Sequence, residues 1–323
     1  MQNWLRCLGR AIPYGKFLLL AAMAGMILFF QPAASQAESF NLGPKKCQEC
    51  HKAEVEVWEA TPHATSFKSI HKSKKAKAIV KAVGGKRMKK EALCAGCHYT
   101  TTKKNAGAKP KLAAGPSCES CHGPASDWFA IHNNYGAGKT AATEDAAHKA
   151  ARIKNASTKG MIWPTQLFDV AANCNSCHGM AAAALPGDKI KAMLDAGHPI
   201  NAEFEVVEYS QGVVRHRFYP PKVTENQKMT KAEMARLFVV GQAANLVSAT
   251  SSMSKTDHAA YKAAQQKRIA AATAVLKSIA GQVPEAGKVV ASPTPENGRA
   301  LAAAVAGKDL SGAVGSKLPT SFK

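Results

Sequence analysis

The chain has 323 residues, which bounds it to one large domain or two small ones. Lys and Arg outnumber Asp and Glu by 43 to 22, a net charge of +21, so the expected partner is an acidic protein or an anionic membrane surface. Nucleic acid, another common partner of so basic a chain, is excluded by the compartment that the N-terminus indicates.

Arg6, Arg10 and Lys16 precede an apolar run from Phe17 to Phe30, followed by Ser35-Gln36-Ala37. The basic start, short apolar core and small-x-small end predict a secretory signal peptide over residues 1–37, cleaved after Ala37, and a periplasmic mature protein. The run of 14 residues is short of the ~20 needed for a permanent span; if retained, it would instead be a membrane anchor.

Four copies of Cys-x-x-Cys-His follow: Cys47/Cys50/His51, Cys94/Cys97/His98, Cys118/Cys121/His122 and Cys174/Cys177/His178. Two thiols at this spacing can add to the two vinyl groups of one porphyrin, and the adjacent imidazole reaches the iron. Eight of the nine cysteines lie in these motifs, and the ninth, Cys7, lies in the predicted leader. Disulfides would not require a histidine after every second cysteine, a thioredoxin motif would normally occur once in a βαβ context, and neither these nor zinc sites use all twelve motif residues as haem attachment does. Four covalent haem c groups are therefore expected, with the eight cysteines as attachment points and His51, His98, His122 and His178 as proximal iron ligands. Their propionates would add about eight negative charges and leave the mature holoprotein near +10.

The haem-bearing part is predicted over residues 38–200, dense enough for porphyrins to form much of its core, with short helices and loops between them. From Lys68 to Lys90 there are ten Lys or Arg and no Asp or Glu, either a docking surface or a solvated face. Thr101 to Pro116 reads as a loop. Residues 201–283 read as a small β-hairpin between Phe204 and Tyr219, turning at Ser210-Gln211-Gly212, and then a helical hairpin. Its first helix starts at the capping box Thr230-Lys-Ala-Glu233 and runs to about Thr250; its second runs from Thr256 or Asp257 to Ala280. Residues 284–323 read as a flexible tail with one short helix near Pro295 to Ala306. The expected fold class is mainly α, a loop-rich multihaem cytochrome.

Lys45-Lys46-Cys47-Gln-Glu-Cys50-His51-Lys52-Ala53, with Trp58 and Thr61-Pro62-His63-Ala64 after it, resembles the opening of the cytochrome c-554 family, and so does Cys118-Glu-Ser-Cys121-His122-Gly123-Pro124. The resemblance covers about Lys45 to Pro199. It implies a mainly helical carrier of electrons between redox proteins in the periplasm, and it implies distal ligands: His63 for the fourth haem, His132 for the first and His198 for the third. The second haem is then expected to lack a protein ligand, as in the best-known member of the family, unless His71, His148 or His216 closes it. Met161 and Met180 are the thioether candidates. Two alternatives to a carrier are an enzyme acting on a small nitrogen or sulfur species at an open second haem, and an anchored quinol-oxidising cytochrome.

Overall fold

Helix formation in this chain is governed by caps and by the motifs themselves. The computed structural model describes residues 38–323, so the predicted leader, its apolar run and Cys7 lie outside the described residues. Pro44 opens α1 (Pro44–Gln48) at a position where its missing N–H costs nothing. Then come α2 (Lys52–Glu59), α3 (Pro62–Ser69), whose Thr61 cap accepts from Ala64 N, and α4 (Lys74–Ala82), capped likewise by Ser73. α5 (Ala92–His98) and α6 (Cys118–His122) end on motif histidines. Residues i, i+3 and i+4 share a helical face, so both thiols and the imidazole project to one side.

Between α5 and α6, where a loop is expected, the chain forms the antiparallel strands β1 (Thr100–Thr102) and β2 (Lys111–Ala114). The reason is local: three consecutive β-branched threonines favour extended backbone. Thr100, buried, then closes the pair by donating to the Gly115 carbonyl at 2.9 Å. α7 (Phe129–His132), α8 (Ala146–Thr158), α9 (Leu167–His178) and α10 (Gly187–Asp195) complete the motif-bearing half.

The hairpin expected at 204–219 does not form. Val206–Ser210 is the short helix α11, because Glu205 caps it by accepting from Glu208 N at 2.9 Å and because Val206 and Val207 are buried. The Val213 N–H, which a second strand would have paired, donates to the Lys323 carbonyl at 2.8 Å. Tertiary burial here outweighs β propensity.

Beyond it, the capping box at Thr230 and Glu233 starts α12 (Lys231–Ser252), which is followed by α13 (Ala259–Ile279), the expected helical hairpin. α12 is apolar around its whole circumference rather than along one stripe, since neighbours cover it on every side. Those neighbours include α14 (Pro284–Ala291), α15 (Pro295–Ala304) and α16 (Ser311–Val314), so residues 284–323 are not the expected flexible tail. Val289, Leu301, Val305 and Val314 are fully buried.

Nor does residue 200 mark a boundary in packing. Phe168 and Ala171 of α9 share one apolar cluster with Val207, Val240, Leu276 and Leu301, and residues 39–323 form one compact unit. The Phe168 ring occupies the space that a Cβ on residue 298 would need, which is why Gly298 is a glycine. The rest of the motif-bearing half holds only small, separate apolar clusters. Among the described residues no helix is long and apolar enough to cross a membrane.

Candidate haem centres

The fold brings each motif histidine to one other histidine. His51 faces His132 with ring centroids 6.5 Å apart, His178 faces His63 at 6.0 Å, His98 faces His198 at 6.0 Å and His122 faces His216 at 6.2 Å. An iron held between two imidazoles by bonds of about 2 Å sets the ring centroids about 6 Å apart. All four pairs have that spacing.

Two of these pairings correct the sequence reading. His198, expected opposite His122, lies opposite His98. α10 ends at Asp195, Gly197 with a φ of 86° reverses the chain just beyond it, and His198 N then bonds back to the Met193 carbonyl at 2.8 Å, so the ring turns toward α5. The second motif histidine, expected to have no partner, therefore has one. The partner of His122 is His216, which the sequence offers only as a candidate for the second haem. A histidine flanked by two arginines in a β-like stretch carries no local mark of a ligand. It is Asn226, bonded to the Arg215 carbonyl at 2.6 Å and to Arg217 N at 3.0 Å, that clamps this loop on both sides of His216.

The rings are oriented as well as paired. Nδ1 lies against a main-chain carbonyl in His122 (Ile162, 2.8 Å), His132 (Phe129), His198 (Pro199, 2.8 Å) and His216 (Val214, 2.6 Å). A carbonyl can only accept, so Nδ1 carries the proton and Nε2 keeps its lone pair for a metal. Burial pushes His98 and His178 down to about 4, and each is lowered further by its paired histidine. It also lowers His63, His122, His132 and His198, which favours the neutral, ligating form. His51 departs from this pattern: its bond to Glu54 at 3.4 Å raises it.

The other histidines have different surroundings. His148 lies 2.6 Å from Glu144, in an ion-pair cluster with Arg152. Arg152 also donates to the His132 carbonyl and so props up that ring. His258 meets Asp195 at 3.2 Å, and His71 is paired with no other histidine. Met161 and Met180 are buried in apolar clusters.

The donor set fits haem c. None of the eight motif cysteines is in a disulfide. Among the described residues, no three His, Cys, Asp or Glu side chains gather as a site for a bare ion. Two imidazoles alone suit a metal that arrives with its own equatorial ligands, as porphyrin iron does. The motifs also adjoin one another. Cys47 and Cys118 lie close enough to perturb each other's ionisation, and so do Cys97 and Cys177. Asn173 ties the third motif to the fourth, donating to the Ser120 and Cys121 carbonyls at 2.8 and 2.9 Å.

Covalent attachment motifs beside paired histidines on a mainly helical scaffold define a c-type cytochrome. Residues 46–123 match the family described as cytochrome c554 and c-prime, so this segment is that of the cytochrome c-554 family. The chain is also 34% identical over 143 residues to cytochrome c-554 of Nitrosomonas europaea, covering 42% of this chain and 56% of that relative. The match thus spans little more than half of the relative's length. No solved structure matches.

Proposed function

We propose that the protein is a periplasmic tetrahaem cytochrome that carries electrons between redox partners, with each iron held by a motif histidine and its paired histidine. The observation that carries this reading is the set of four histidine pairs at one spacing, each containing one motif histidine. An iron with two axial histidines exchanges electrons but offers substrate no open position. The open second haem on which the enzymatic alternative rested has no support, because His198 faces His98.

In this reading the porphyrins supply the core that the motif-bearing half otherwise lacks. The adjoining motifs suggest an electron path in the order first, third, fourth, second. The lysine-rich segment supports docking at the second haem. Lys74, Lys75 and Lys77 are exposed on α4, and Lys75 is near enough to His198 for its charge to lower that imidazole. Lys89 lies over the Phe67 and Tyr99 rings beside His98. A partner with an acidic surface would be steered to this edge.

Intact mass and low-temperature EPR of the purified protein test the proposal together. Expected are loss of residues 1–37, four haem additions and four low-spin irons. Fewer than four haems, or a high-spin second haem that turns over a small substrate, would refute it.

A further inference from the structure

Arg268, on α13, is 3% exposed, and every acceptor it reaches is neutral. Nη1 donates to Gln265 Oε1 at 2.7 Å, and Nη2 to Asn245 Oδ1 at 3.3 Å and Ser248 Oγ at 3.5 Å. Its buried Nε–H has no partner. Arg152, Arg217 and Arg299 each hold a carboxylate; among the described residues none is paired with Arg268. Burial lowers the group only to about 10, so it is charged at neutral pH. A buried, unpaired cation is strongly unfavourable unless something nearby gains from its field.

Its surroundings identify that beneficiary. A Cβ on residue 179 would collide with the guanidinium, so Gly179, directly after His178, is a glycine that lets the charge approach. Gln265 Nε2 donates to the Gly179 carbonyl at 3.0 Å and the Tyr261 hydroxyl to the Met180 carbonyl at 3.1 Å. Tyr261, Gln265 and Arg268 follow the i, i+4, i+7 spacing of one helical face. That face lies against the end of the fourth motif. Within the motif, Asn175 also has a buried, unpartnered Oδ1.

We propose that Arg268 is the fixed counter-charge of the haem held by Cys174, Cys177 and His178, and that its field raises that haem's midpoint potential. The inference rests on the tetrahaem reading. A ferric haem carries one more positive charge than a ferrous one, so a cation fixed in a low-dielectric interior favours gain of the electron. Arg268 acts through space and is a positioning residue for charge. α13 lies outside residues 46–123, the segment that matches the family, so the control comes from the C-terminal helical layer.

The test compares holoprotein carrying Arg268→Met, which removes the charge while keeping bulk, with Arg268→Lys, which keeps it. Potentiometric titration followed by EPR resolves the haems, and the His178 haem is the one that turns high-spin in His63→Ala. Arg268→Met should lower the midpoint of that haem more than the other three, and Arg268→Lys should restore it. Four unmoved midpoints in Arg268→Met with all haems attached would overturn the proposal, as would equal shifts in the two variants, which would indicate packing and not charge. If Arg268→Met does not mature, the unmodified protein decides. The His178 haem should then titrate above the His51 haem, which has the Glu54 carboxylate beside it, and the reverse order would overturn the proposal. Fewer than four haems by mass in the unmodified protein would overturn the tetrahaem reading as well.

Discussion

Replacing Asn226 by Ala should loosen one axial ligand without touching the ligand itself. Asn226 accepts from Arg217 N at 3.0 Å and donates to the Arg215 carbonyl at 2.6 Å, bracketing His216. The loop's other ties are Gln227, which holds it through the Arg217 and Tyr219 carbonyls, Arg217, which pairs with Glu233 at 2.7 Å, and Arg215, which donates to the Gln211 carbonyl at 3.1 Å, while His216 itself is exposed. Each hydrogen bond contributes about 1 kcal/mol net, so losing both costs about 2 kcal/mol. At about 1.4 kcal/mol per factor of ten, the fraction of molecules with His216 detached should rise about 30-fold. Cyanide can bind only where the sixth position is vacant, so its apparent affinity should tighten by the same factor, at one haem of four. Optical titration with cyanide gives the affinity, and EPR identifies the haem as the one lost from the low-spin set in His216→Ala. Unchanged cyanide affinity, or tightening at the His51, His98 or His178 haem, would refute the assignment of His216.

Charge reversal at Lys74, Lys75 and Lys77 should slow association with an acidic redox partner and flatten its salt dependence, because exposed charges act over only ~10 Å at 0.1 M ionic strength. Stopped-flow rates that ignore both salt and the substitutions would reduce α4 to a solvated face. Glu144 is held down at about 2, chiefly by its bond to Arg152. A carboxylate with a depressed folded-state value stabilises the fold above the ordinary 4.5, and this contribution is lost as pH falls toward 2. Acid titration should thus release the Arg152 support of His132 in that window, seen as a high-spin fraction at the His51 haem, and Glu144→Gln should abolish the pH dependence of this step. Leu301→Ala empties a fully buried position that shares a cluster with Phe168. It should cost about 2–5 kcal/mol, and an unchanged Tm would mean that residues 284–323 contribute little to the packed core.

What could be read from the sequence follows from the range of each signal. The motifs, the Thr230 capping box and the two long helices are local, and the structure places them where the sequence indicates. Pairing of histidines is not local. His63 sits in a Thr-Pro-His segment that matches a family motif, so its place was legible by resemblance. His198 and His216 depend instead on a chain reversal at Gly197 and on a clamp from Asn226, ten residues further along the chain. The failed hairpin has the same origin. Val206 and Val207 favour a strand in isolation, but they are buried in the apolar cluster that also holds Val240 of α12. The last forty residues read as loop-like because Pro, Gly, Ala and Ser are frequent there. Small residues are equally what close helix packing needs, and only the partner surfaces decide between these readings.

The pairing also changes which part of the molecule controls the chemistry. Had His198 served the third haem, all the ligands would have come from residues 38–200, and the C-terminal layer would be a cover. With His216 opposite His122, the proposed tetrahaem reading draws one distal ligand from beyond residue 200. Its loop runs directly into the capping box of α12, where Arg217 bonds Glu233 at 2.7 Å. Phe204, also beyond residue 200, stacks on His178 with centroids 4.5 Å apart. In that reading the helical layer is coupled to the third centre through a ligand, and to the fourth through a stacked ring and a buried cation. In the proposed order first, third, fourth, second, these are the two inner centres. The outer two have their own local devices, Arg152 behind His132 and Lys75 near His198. In that reading a change in α12 should act on the middle of the electron path, whereas Tyr261 of α13 packs with Ile79 of α4 and with Ile190 and Met193 of α10, so a change there should also reach the docking edge.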